Sequence, residues 1–154
     1  MADALFFSCL LLFLAAMQCT GAVDYAVNGN TSNSDGCVRF KIEIGAQNSL
    51  QTMADASNFI WNVFQQNNPS DRKKRPESNT WDGNGQTSVR LIEGIADFVR
   101  LKANYIPSHW VQPGHGDRWD QRSDVTARFL EYYDGLRNGF VAELNKKMRS
   151  GYNA

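Results

Sequence analysis

Apolar positions recur along this chain with two different periods. Val38, Phe40 and Ile42 alternate with Arg39, Lys41 and Glu43, the period-two signature of a half-buried strand. Val23–Val27 forms a second, shorter strand candidate, separated from the first by a Gly/Asn/Ser-rich turn at Asn28–Gly36. From residue 47 the period changes. Leu50, Met53, Ala54, Ile60, Trp61 and Phe64 fall at helical spacing, and Asn67-Asn68-Pro69 predicts the stop near residue 66. Ile92, Ile95, Ala96, Val99 and Ala103 predict a second helix over Ser88–Asn104, with Glu93, Asp97 and Arg100 as a polar row beside the apolar one. A third helix is expected to start at a Ser123-Asp124 cap and to bury Val125, Phe129, Leu130 and Tyr133. A fourth covers Asn138 to about Met148 and buries Phe140, Val141, Leu144 and Met148.

Two stretches lack any period. Ser70–Gln86 holds the basic run Arg72-Lys73-Lys74-Arg75 and the turn Gly83-Asn84-Gly85, and reads as a solvated loop. Tyr105–Gln121 carries both histidines, two prolines and two tryptophans, with turn potential at Gly114 and Gly116. It reads as a long irregular connection.

Composition narrows the class. At 154 residues the chain has room for one domain, and 42% hydrophobic residues is too apolar for a disordered chain. Sixteen basic residues balance sixteen acidic ones, and no basic stripe interleaves with aromatics, so nucleic acid is not an expected partner. Leu5–Ala16 is nearly all apolar and leads into small residues ending at Ala22. That pattern predicts a signal peptide over residues 1–22, despite an n-region with Asp3 and no base, and a secreted domain over 23–154. The apolar run falls short of the ~20 residues of a membrane span, so no transmembrane segment is expected after cleavage. Cleavage removes Cys9 and Cys19 and leaves Cys37 as a lone thiol, expected to be buried. Asn30-Thr31-Ser32 is a glycosylation sequon, with Asn30 as the acceptor in a secreted chain.

The chemistry-bearing residues are few. Glu93 and Asp97 project from one helix face. The bland partner is Arg100, three residues beyond Asp97. The sharper alternative is a metal, with Glu93 as a ligand and Asp97 orienting a ligating histidine.

Several runs now resemble the plant basic secretory proteins. They include Val23-Asp24-Tyr25, Asn58-Phe59-Ile60-Trp61 and Phe64-Gln65-Gln66-Asn67-Asn68-Pro69. The most specific is Leu91-Ile92-Glu93-Gly94-Ile95-Ala96-Asp97-Phe98-Val99-Arg100-Leu101-Lys102-Ala103, followed by Pro107-Ser108-His109-Trp110, Gly116-Asp117-Arg118-Trp119-Asp120 and Asp124-Val125-Thr126-Ala127-Arg128-Phe129-Leu130. The resemblance implies zinc-peptidase ancestry and a single α+β, zinc-peptidase-like domain. It also implies a helix with a His-Glu-x-x-His pattern, whose histidines share one face and whose Glu polarises zinc-bound water. By the same resemblance, Glu93 stands at the position of the third zinc ligand.

The pattern breaks where the histidines belong. Before Trp81 the chain reads Asp71-Arg72-Lys73-Lys74-Arg75-Pro76-Glu77-Ser78-Asn79-Thr80, with no histidine. By the resemblance, core strands and the zinc helix are missing between Pro69 and Trp81, and the chain stops short of the family's final segment. The only histidines, His109 and His115, flank Pro113-Gly114 in the irregular connection, where no helix fixes them. As stand-in ligands with Glu93 they would meet the count of three, but no base is evident to activate water. The expectation is a secreted, plant defence-related protein of the apoplast, descended from a zinc peptidase. It has no catalytic residues, a vacant ligand position at Glu93, no bound zinc, and a partner among extracellular proteins or the cell wall. The alternatives are an active extracellular zinc metallopeptidase using Glu93, His109 and His115, and a shortened product that does not fold stably.

Overall fold

The computed structural model describes residues 25–27, 34–72 and 80–151. The expected leader, the sequon at Asn30 and most of the basic run lie outside the described residues. Among the described residues, five α-helices follow in order: α1 (Asp35–Arg39), α2 (Ala46–Val63), α3 (Val89–Lys102), α4 (Ser123–Leu136) and α5 (Phe140–Lys147). A π-helical turn, Phe40–Ile44, continues α1, and 3-10 turns occur at Pro69–Asp71 and Met148–Ser150.

No strand occurs among the described residues, so the expected α+β class is corrected to an all-helical one. The stretch that alternates at Val38–Glu43 is where the two periods compete. Read at period 3.6, the same residues place Arg39 and Glu43 one turn apart, and their side chains pair at 2.9 Å. Ser34 caps α1 through the Cys37 N–H. A helix satisfies its own backbone groups, whereas a strand needs a neighbour to complete its ladder. Val38 and Ile42 consequently stand 42% and 79% exposed, not half-buried against a sheet. Cys37 is half-buried, short of the full burial expected of it.

The core lies where α3 crosses α4, the most extensive packing between described helices. Ile95 and Phe98 from α3 meet Ala127 and Leu130 from α4, and Val141 and Met148 close the far side. Full burial of a side chain such as Phe98 or Leu130 is worth roughly 1.5–3 kcal/mol. Gly94 sets the crossing. A Cβ there would sit 2.2 Å from Thr126 Cγ2, so only glycine lets the two backbones approach this closely.

Helix ends fall within a few residues of their expected positions. Ser88 caps α3 by accepting from the Leu91 N–H. At α4, however, Ser123-Asp124 is not the cap: the helix begins at Ser123, behind Arg122, and no side chain caps it. Asp124 is instead buried, with a different task described below.

The segments on either side of residues 73–79 are fastened to the same end of α5. Arg149 donates to the Ser70 carbonyl at 3.1 Å, pairs with Asp71 at 3.7 Å, and lies 5.4 Å from the centre of the Trp81 ring. The Trp81 N–H donates to Asn145 Oδ1 at 3.0 Å, and the Gly83 N–H to the Met148 carbonyl at 2.8 Å. Arg72 stacks over Trp61, 3.9 Å from its ring centre. No described helix is long and apolar enough to cross a membrane.

Candidate functional site

Two places carry polar chemistry: the exposed row on α3, and the connection from α3 to α4 that folds back onto α4.

On α3 the expected row is present, and each carboxylate has an arginine. Glu93 is exposed and pairs with Arg90 at 3.4 Å. Asp97 is mostly covered and pairs with Arg100 at 3.0 Å, the partner its spacing suggests. Arg100 in turn lies 5.1 Å from the centre of the buried Trp110 ring. His109 and His115 are both exposed in the connection. Among the described residues, no three His, Cys, Asp or Glu side chains form a group able to hold a metal ion. A catalytic zinc takes three protein ligands and leaves one position open. The described donors, with Glu93 and Asp97 turned to guanidinium groups on their own helix, do not fit it.

The α3–α4 connection is more ordered than its composition suggests. Asp124 accepts from the Val111 N–H at 2.9 Å and from Arg122 at 2.8 Å. Arg128 donates from Nε to the Val111 carbonyl at 3.2 Å and pairs with Glu131 at 2.9 Å. Val111 is thus held at both its N–H and its C=O by side chains of α4. Further on, the Thr126 hydroxyl reaches the carbonyls of Trp119 (2.8 Å) and Arg122 (3.0 Å), sharing one proton between them. Gly116, at φ +118°, lets the loop press onto α4: a Cβ there would come 2.7 Å from Val125 Cγ1.

Between this loop and α4 lies an open groove of about 240 Å³, walled by His115, Asp117, Arg118, Trp119, Phe129 and Tyr132 among others. Arg118 grips Asp120 through two bonds, at 2.8 and 3.1 Å. The hydrogen bond from Arg118 holds the Asp120 carboxyl below the usual carboxylate range, and Asp120 holds the guanidinium above its ordinary value. Both stay charged through neutral pH and cancel each other. Trp119 is 42% exposed and Tyr132 64%. Asp124, Arg128 and this aromatic wall had no place among the sequence-derived site residues. The signal available was a tryptophan inside a Gly/Asp/Arg turn, with aromatics at 129, 132 and 133 spaced for one side of a helix.

Comparison with known proteins gives the lineage. Residues 20–80 and 77–154 match the profile of a family described as peptidase of plants and bacteria. A basic secretory protease from Boswellia serrata is 62% identical over 29 residues, which is 19% of this chain and 45% of that protein. The chain therefore matches less than half the length of that relative. No solved structure matches the chain. The profile extends over almost all the sequence beyond the apolar leader, and the chain belongs to the basic secretory protein family of plants and bacteria.

Proposed function

We propose that this chain is a secreted, defence-related extracellular protein that descends from a zinc peptidase and no longer cleaves peptides. The observation that carries the reading is the absence of the expected imidazoles. The stretch Asp71–Thr80 offers no imidazole, and Glu93 is paired with Arg90. The two profile matches overlap at residues 77–80, which supports a join in that stretch. Peptide hydrolysis of this kind needs a metal to lower the pKa of water and a carboxylate to take its proton. His109 and His115 are exposed on the connection, and neither belongs to a metal-holding group among the described residues. Secretion is supported by the leader pattern at Leu5–Ala22 and by the secretory relative. The expected site of action is the apoplast, and the expected partners are extracellular proteins or wall material.

The test joins export to activity. Protein collected from the medium of expressing plant cells should begin at Val23 and should leave casein intact, with or without a chelator, beside an active family member as control. Chelator-sensitive hydrolysis that disappears on His109→Ala or His115→Ala would establish the metallopeptidase alternative. Retention inside the cell with Met1 in place would overturn the secreted reading.

A further inference from the structure

The groove between the 114–119 loop and α4 presents aromatic rings to solvent in a way the core does not require. Trp119 is held from two directions. Its carbonyl accepts from the buried Thr126 hydroxyl, and its ring packs against Phe129 with centroids 5.7 Å apart and planes 35° from parallel. Tyr132 meets Tyr133 edge-on at 5.5 Å, and Tyr133 packs on Phe129 at 4.7 Å. Trp119, Phe129, Tyr133 and Tyr132 thus form a series of ring contacts, which reduces the ordering left to be done when a ligand arrives. At the rim, Gly114 has open space where a side chain would stand, and among the described residues the exposed His115 imidazole and Asp117 carboxylate form no ion pair.

Charge narrows the ligand. The two arginines of the groove's walls are paired, Arg118 with Asp120 and Arg128 with Glu131, which disfavours a phosphate or a polyanion there. Shape narrows it further. An apolar peptide side chain gains most in an enclosed pocket, whereas this groove is open and smaller than the ~300–1,000 Å³ of a drug-sized site. A pyranose ring with equatorial hydroxyls has an apolar C–H face and a hydroxyl rim. The negative face of an aromatic ring attracts such C–H groups, and free acceptors and donors beside it bind hydroxyls.

We propose that this groove binds a neutral, β-linked oligosaccharide, stacking one pyranose ring on Trp119 and Tyr132 while His115 and Asp117 bond its hydroxyls. Glu93 and Asp97 are not among the groove's walls, so binding here does not draw on the ligand position at Glu93.

Calorimetric titration of the purified chain with cellohexaose and with the hexamer of N-acetylglucosamine tests this. At least one should bind saturably, with an affinity indifferent to salt, and the preferred sugar identifies the polymer. Trp119→Ala should weaken binding about tenfold or more. Trp119 also supports Phe129, so Tyr132→Ala provides a second variant at a mostly exposed position. It should weaken binding several-fold with an unchanged melting temperature. Absence of binding by both hexamers would overturn the proposal. So would binding that both variants retain in full, or binding that collapses as salt is raised.

Discussion

Replacing Gly94 with alanine should destabilise the protein by about 2–3 kcal/mol, the range for overpacking a filled core. The sign is the informative part. In an isolated helix interior the same change is favourable by roughly 1 kcal/mol. Here the new methyl would arrive 2.2 Å from Thr126 Cγ2 and 2.4 Å from Thr126 Cβ. Thr126 is fully buried, and its hydroxyl is committed to the Trp119 and Arg122 carbonyls, so it cannot rotate away at no cost. Relief would need α3 and α4 to separate, opening the Ile95–Ala127 contact region of the core. Urea unfolding of the wild type and Gly94→Ala measures the difference. Equal or greater stability for the variant would mean that the helices do not cross at this glycine.

Asp124→Ala should cost about 2–3 kcal/mol, and Asp124→Asn roughly half as much. The carboxylate is only 4% exposed and receives both the Val111 N–H and Arg122. Breaking a fully buried ion pair costs ~3–5 kcal/mol. Arg122, however, is 58% exposed and can return to water, so the larger part of the loss is the stranded Val111 N–H, at ~1–3 kcal/mol. Asparagine keeps an acceptor for that N–H and gives up only the charge. Asp124 also stands in the first turn of α4, where a negative group complements the helix dipole. Thermal unfolding of the three proteins should rank wild type above Asn above Ala. If the two variants were equal, the ion pair and not the Val111 bond would dominate.

The helices were legible because sustained apolar periodicity admits one reading. Their buried faces were less so. On α3 the sequence marks Ile92, Ile95, Ala96, Val99 and Ala103, but the buried positions are Gly94, Ile95, Phe98 and Leu101, and Ala96 is exposed. A glycine has no hydrophobicity to register in a pattern, yet it is the point of closest approach, and it turns the buried stripe toward itself. The segment at Val38–Glu43 was misassigned for another reason. Six residues satisfy the strand period and the i,i+4 ion pair equally well, and only the presence or absence of a neighbouring strand decides between them. Asp124 follows the rule for a helix cap in sequence, and its use as a clamp on Val111 depends on a segment thirteen residues away. The Glu93–Asp97–Arg100 row was readable because its spacing is local. The groove on the far side of the connection was not, since it exists only once the loop has folded back on α4.

The status of Glu93 is the centre of this account, and equilibrium unfolding of Glu93→Gln with and without added zinc tests it most directly. Glu93 is half exposed and faces Arg90, also largely exposed, across 3.4 Å. Such a pair contributes between zero and about 1 kcal/mol. The substitution should therefore shift stability by less than about 1 kcal/mol, with the same small value when zinc is present. A ligand position behaves differently, because a metal bound to the folded state stabilises it by mass action and loses that effect with its ligand. If zinc raised the stability of the wild type and left Glu93→Gln unmoved, Glu93 would be a working metal ligand and the non-catalytic reading would fail.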